Sequence, residues 1–302
     1  MSTTAFLFPG QGSQFVGMGK DLYEHNPEAR ALFDQADAIV GFPLTRICFE
    51  GPDEDLRQTR NTQPAIFLHS MVVARIFRGQ QASMAAGHSL GEYSALVYAG
   101  ALTFEDALRL VRLRGELMQQ AGVEQPGTMA AVVGLEPGIV GEVCCSAWDA
   151  GIVQAANFNS PGQIVISGSV SGVRKAMELA KARGARLVKE LPVSGAFHSP
   201  LMESAKSGLK AALEKTTIRD ASIPVYANVT AKPVRAANEI RQLLNEQLTS
   251  PVRWEETIKN MAADGASVFV EIGPGKVLQG LVKRIKNDVE TRGIEKLADI
   301  SS

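Results

Sequence analysis

Cysteine is scarce in this chain: three residues in 302. Cys48, Cys144 and Cys145 are odd in number, and two are adjacent, which excludes a disulfide framework and the ligand spacing of a zinc site. They read as small buried hydrophobes. A charge excess of either sign is also missing, since 31 Lys and Arg stand against 32 Asp and Glu, for a net charge of -1. That balance argues against a nucleic-acid binder, although it leaves room for local basic patches. No apolar run approaches the roughly 18 to 20 residues needed to span a bilayer. The first basic residue is Lys20, so the charged n-region of a secretory signal is lacking, and a cytoplasmic location is expected. Nucleotide loops are absent too. Gly10-Gln11-Gly12 invites a dinucleotide fingerprint, but Phe15 stands where its third glycine belongs, and no G-x-x-x-x-G-K-[ST] occurs. No internal repeat or low-complexity segment is visible.

What is present is an ordinary globular composition, 45% apolar and 21% charged, enough for one sizeable core with or without a smaller lobe. Apolar strand candidates at Thr4 to Phe8, Ser83 to Gly87, Ile223 to Asn228 and Ser267 to Ile272 alternate with helical stretches. This predicts an α/β fold with a helix-covered parallel sheet. Between Thr128 and Leu191 the rhythm changes. Strands at Met129 to Gly134, Val153 to Asn157, Gln163 to Ser167 and Arg186 to Glu190, with helices at Pro137 to Trp148 and Val170 to Arg183, make the β-α-β-β-α-β order of a ferredoxin-like unit. Residues 128–191 are therefore expected to be a small domain inserted into a discontinuous large domain, 1–127 with 192–302. The polar tail from Asn287 is expected to be loosely held.

Gly87-His88-Ser89-Leu90-Gly91 is a G-x-S-x-G pentapeptide. A serine so flanked can sit on a sharp strand-to-helix turn, with the following helix aiming its free N–H groups at an anion developing on an attacked carbonyl. Ser89 is then a candidate nucleophile, although any Gly-flanked serine in a turn matches the pattern. Thr103 and Asp106 form a capping box. After it, Ala107, Leu110, Val111, Leu117, Met118 and Ala121 share one helical face with Arg114 in its middle. A guanidinium there costs several kcal/mol unless an anion pairs with it. Either a structural ion pair or snorkelling accounts for it, or it clamps a substrate carboxylate.

A serine nucleophile needs a base, and there are four histidines. His25 falls in a polar helix, His69 in the apolar run Ile66 to Ile76, and His88 points elsewhere on a tight turn. His198 remains, in a loop just before a helix whose start is marked by Ser199 and Pro200, at the junction of the two expected domains. Composition alone makes it a solvent-exposed loop histidine as readily as a base.

Gly10-Gln11-Gly12-Ser13-Gln14, Gly87-His88-Ser89-Leu90-Gly91-Glu92-Tyr93, Arg114 and Gly195-Ala196-Phe197-His198 together closely resemble the malonyl-CoA:acyl carrier protein transacylase family of type II fatty acid synthesis. Asn245 to Trp254 and Glu271 to Lys276 add to the match, which runs from residue 4 to about 286. The resemblance implies an α/β-hydrolase-like large domain and a ping-pong malonyl transfer. Ser89 would be the acylated nucleophile and His198 its base, with the backbone carbonyl of Gln247 in place of a carboxylate. The amides of Gln11 and Leu90 would form the oxyanion hole. Arg114 would bind the malonyl carboxylate, and Met118, Asn157 and Phe197 would line the acyl pocket. Phe197 favours malonyl, since family members taking methylmalonyl groups tend to carry a smaller residue there. The implied partners are malonyl-CoA and acyl carrier protein, with no metal or redox cofactor required, and a monomer is expected.

Other readings compete. A serine esterase shares the G-x-S-x-G turn but uses Asp or Glu before a late histidine and has no evident use for Arg114. A non-catalytic docking module would have lost Ser89 or His198. A stand-alone acyltransferase serving a polyketide synthase has the same chemistry and another carrier. Two basic strips could guide an acidic carrier: Arg174 to Glu190, with six basic residues against two acidic, and Lys276 to Lys286, with four and none.

Overall fold

The computed structural model describes residues 3–300 of the chain. Ten strands form two sheets: β1 (Thr3–Phe8), β2 (Met84–Gly87), β7 (Val225–Tyr226), β8 (Pro233–Val234), β9 (Ala266–Ile272) and β10 (Glu290–Ile294) in one, and β3 (Gly127–Val133), β4 (Val153–Ser160), β5 (Gln163–Ser169) and β6 (Leu187–Glu190) in the other. The larger sheet has the order β10-β9-β1-β2-β7-β8 and is parallel except for the β7–β8 hairpin at its edge.

Its interior strands are apolar on both faces because helices cover both. Along β1 the two-residue period puts Phe6 and Phe8 into one hydrophobic cluster and Ala5 and Leu7 into another. The same alternation places Met84 and Ala86 of β2 with the second cluster and Ala85 with the first. Beside the first cluster, the helices Thr59–Ile76 and Phe104–Glu124 pack against each other. The second helix opens on Thr103, whose hydroxyl accepts the Asp106 N–H at 3.1 Å, as the capping box predicts.

The smaller sheet has the order β4-β5-β3-β6, all antiparallel, with the helices Pro137–Ser146 and Val170–Ala182 as its crossovers. This is the ferredoxin-like arrangement. One face of this sheet, with Ala130, Val132, Ile164 and Ile166, packs on those two helices, while Met129, Ala156 and Val165 belong to the core shared with the larger sheet. A two-sided sheet set against the C-terminal ends of β1 and β2 leaves a cleft there, the usual position for a site in an α/β protein.

Three expectations need correction. The tail after Asn287 is not loose: β10 pairs in parallel with β9 from Glu290 to Ile294, and the helix Leu297–Ile300 follows. Its polar sequence suits an edge strand, which is stabilised by ladder hydrogen bonds and hides only Ile294. The strand expected over Ile223 to Asn228 pairs only at Val225 and Tyr226. Cys48 and Cys144 are buried, but Cys145 is exposed, because it faces outward on its helix.

Candidate active site

β2 ends at Gly87 and the helix Gly91–Tyr98 begins two residues after Ser89, so the serine occupies a four-residue reversal. Its φ is 50°, in the left-handed region that a non-glycine residue rarely adopts. The glycines of the pentapeptide are required for another reason. A Cβ on Gly87 would collide with the backbone of Gly91 and Glu92, and one on Gly91 with the carbonyl of Phe8. The turn is therefore pressed against β1, and the strain falls on Ser89.

His198 also has a left-handed φ, 57°, and is 3% exposed. Ser199 shapes its loop, donating to the Ala196 carbonyl at 2.6 Å and accepting the Leu201 N–H at 3.3 Å ahead of the helical turn Pro200–Met202. The imidazole Nε2 lies 2.8 Å from Ser89 Oγ. Its Nδ1 lies 2.9 Å from the Gln247 carbonyl oxygen and 3.2 Å from that of Ser250. Carbonyl oxygens only accept, so the network assigns the ring proton to Nδ1 and leaves the Nε2 lone pair to take the hydroxyl proton. Burial, then the nearby charge of Arg114, pushes the His198 pKa down to about 3. The ring is neutral at physiological pH.

The other histidines are occupied or remote. His25 is partnered with the Asp21 carbonyl, at the surface. Burial pushes His69 down to about 4. His88 borders the cleft but is engaged by Asn159 Oδ1 at 2.9 Å and packs on the Trp254 ring.

Arg114 is 1% exposed. Its Nη1 donates to Gln63 Oε1 at 2.7 Å, and its Nη2 to Gln247 Oε1 at 2.9 Å and to Ser89 Oγ at 3.1 Å. Among the described residues it forms no ion pair. The structural-ion-pair explanation thus fails, and a buried cation lies beside Ser89 with neutral partners only. Its pKa is lowered by burial, against the opposing influence of Tyr93 and Glu92.

A cavity of about 220 Å³ opens here, bordered by Ser89, His198, Arg114, Met118, Asn157 and Phe197, and also by Gln11 and Leu90. Among the described residues neither the Gln11 nor the Leu90 backbone N–H has a hydrogen-bond acceptor. The free end of the Gly91–Tyr98 helix adds its dipole at the same place. Gln247 does not border the cavity. It is 1% exposed behind the other residues, joined to His198 through its carbonyl and to Ser89, Glu92 and Arg114 through its side chain.

Four residues of the site were not singled out by sequence. Asn228 Oδ1 accepts the Ser89 N–H at 2.6 Å, and its Nδ2 donates to the Gly87 carbonyl at 2.7 Å. Glu92 Oε2 accepts from both Asn228 and Gln247. Gln63 braces Arg114, and Gln154 Nε2 donates to the His198 carbonyl at 2.8 Å. A polar residue just past an apolar strand end was the available signal for Asn228. For Gln63, it was an amide in a helical segment that is buried almost throughout.

The acyl transferase domain model matches residues 5–297. The malonyl CoA-acyl carrier protein transacylase of Bacillus subtilis is 50% identical over 96% of this chain and 93% of its own length. The solved malonyl-CoA:acyl carrier protein transacylase of Xanthomonas oryzae superposes with a TM-score of 0.96 at 44% identity, covering 100% of this chain and 97% of that one. A malonyl-transacylase solved in complex with a type II PKS acyl-carrier protein gives 0.96 at 40%, over 99% and 98%. With a buried serine–histidine pair, two free amides and an unpaired arginine in one cleft, and with this likeness over its whole length, the chain belongs to the malonyl CoA-acyl carrier protein transacylase family of acyl transferases.

Proposed function

We propose that this chain transfers a malonyl group from CoA to the phosphopantetheine thiol of an acyl carrier protein, through an ester on Ser89. The observation that carries the malonyl assignment is Arg114, a buried guanidinium without a carboxylate partner, 3.1 Å from Ser89 Oγ. A malonyl thioester ends in the carboxylate it lacks, and a forked donor can hold that group while its acyl carbon faces the serine.

In the first half-reaction His198 Nε2 takes the hydroxyl proton as Oγ attacks the thioester carbonyl. The amides of Gln11 and Leu90 stabilise the oxyanion. The intermediate collapses with cleavage of the C–S bond, and the proton on Nε2 passes to the leaving CoA sulfur. The second half-reaction reverses the sequence: the carrier thiol gives its proton to Nε2, attacks the Ser89 ester, and releases the serine as its hydroxyl. The Gln247 and Ser250 carbonyls hold the imidazole throughout. Met118, Asn157 and Phe197 bound the acyl group.

The wider reading is a cytoplasmic monomer of type II fatty acid synthesis, with 128–191 a small domain inserted between 1–127 and 192–302. No helix among the described residues is long and apolar enough to cross a membrane. The neighbour bound to a type II PKS acyl-carrier protein keeps a polyketide carrier as the second reading. An esterase is disfavoured because the group on His198 Nδ1 is a carbonyl and the cleft holds a cation that a neutral ester does not need.

The test is transfer from malonyl-CoA to purified fatty acid and polyketide carriers bearing phosphopantetheine. Malonyl-carrier should form with at least one of them, and His198→Ala should slow Ser89 acylation by about 10² to 10⁴. Release of free malonate with no transfer to any carrier would overturn the proposal.

A further inference from the structure

The buried carboxylate of Glu92 hydrogen-bonds directly to residues that hold Ser89 and His198, and the mechanism above does not use it. It lies in the first turn of the helix that follows the nucleophile, and it is 2% exposed. A single oxygen, Oε2, accepts the Asn228 backbone N–H at 3.0 Å and Gln247 Nε2 at 2.8 Å. These two residues have separate tasks. Asn228 clamps the strained Ser89 turn through its side chain, on the Ser89 N–H and the Gly87 carbonyl. Gln247 holds His198 through its carbonyl and donates from Nε2 to the Ser89 carbonyl at 3.0 Å. The nucleophile and its base come from segments more than a hundred residues apart, and their 2.8 Å contact needs a common reference.

We infer that Glu92 Oε2 is that reference, a positioning residue that fixes the Ser89 turn and the His198 holder relative to each other. The inference rests on the Ser89–His198 reading of the site. What matters is the place of an acceptor oxygen rather than a full negative charge. Burial pushes the carboxyl up to about 7, disfavouring the charged form, whereas the Asn228 and Gln247 donors aimed at Oε2 need only an acceptor oxygen there. Glutamine can put its carbonyl oxygen where Oε2 lies and keep both hydrogen bonds. Aspartate keeps the charge and withdraws the oxygen by one methylene. Misplacing reacting groups by about 1 Å costs about 10²-fold in rate.

The experiment measures pre-steady-state acylation from labelled malonyl-CoA by wild type, Glu92→Gln, Glu92→Asp and Ser89→Ala, with thermal unfolding as the check on folding. Ser89→Ala should take up no label, and retained label there would overturn the underlying serine reading itself. With that control silent, Glu92→Asp should acylate about 10²-fold more slowly at saturating malonyl-CoA, with its KM within about threefold of wild type, because substrate contacts are untouched. Glu92→Gln should stay within about tenfold of the wild-type rate. Wild-type acylation by Glu92→Asp would overturn the inference while leaving the serine reading intact. So would equal losses in both variants, losses that track unfolding temperature, or a change confined to KM.

Discussion

Arg114 Nη2 donates to Ser89 Oγ at 3.1 Å, so the cation that suits a malonyl carboxylate touches the atom that would take the acyl group. Two consequences separate specificity from scaffolding. Arg114→Ala should impair malonyl transfer by on the order of 2 to 5 kcal/mol, the cost of removing one partner of a buried charge pair. Acetyl transfer, which has no carboxylate to orient, should be harmed less or even improve. Parallel kinetics with malonyl-CoA and acetyl-CoA check this, and equal losses would make Arg114 a scaffold residue.

The Arg114 charge also bears on the pH profile, after burial. Burial and the Arg114 charge together hold the His198 pKa down, to about 3. The imidazole is deprotonated above that value, so if His198 is the base, kcat/KM for Ser89 acylation should show no acid limb near 6.5, where an ordinary histidine would protonate. Removing the Arg114 charge raises the pKa. With acetyl-CoA as donor, the acid limb of Arg114→Ala should therefore lie at higher pH than that of wild type. A wild-type limb at 6.5, or no upward movement in the variant, contradicts the electrostatics.

Asn228 provides a structural test. Its side chain satisfies the Ser89 N–H and the Gly87 carbonyl. Asn228→Ala leaves both without that partner and should cost about 1 to 3 kcal/mol per orphaned buried group in denaturant unfolding. It should also slow acylation, since the φ of 50° at Ser89 loses its clamp. Unchanged unfolding and unchanged acylation together would remove the clamp from the site.

The two basic strips differ once folded. In the first, Arg174, Lys175 and Arg183 pair with Glu190, Glu178 and Glu142. The second belongs to the helix Val277–Ile285 and its flanks, of which Val277, Leu278 and Leu281 border the cleft. There Lys286 pairs with Asp288 and Arg284 donates to Gln163, while Lys276 and Lys283 are exposed and form no ion pair among the described residues. Lys276→Glu with Lys283→Glu should raise the KM for the carrier at low salt, an effect that fades as salt rises, and should spare carrier-independent acylation. Carrier kinetics unchanged at low salt would put the docking surface elsewhere.

Sequence made the scaffold legible where periodicity is strong. The six elements of the small sheet unit fall within a few residues of their expected places, because each has one face in an apolar cluster. Ser89, Arg114 and His198 were legible for chemical reasons: a glycine-flanked turn, a charge on an apolar face, and the one loop histidine ahead of a helix. Asn228 and Glu92 were not, since what singles them out is a hydrogen bond across 136 residues of chain. Nor was β10, whose polar residues are held by backbone pairing that no side-chain pattern announces. The capacity of Ser89 and His198 to adopt left-handed backbone is likewise a product of the packed turn, not of residue type.

The most direct test is to incubate the protein with labelled malonyl-CoA in the absence of carrier, weigh the intact chain and map the label by peptide mass. One malonyl group should be added, on Ser89, and Ser89→Ala should take up none although it remains folded. Label that persists in Ser89→Ala, or that maps to another residue in wild type, would contradict the assignment of Ser89 as the acyl-carrying group.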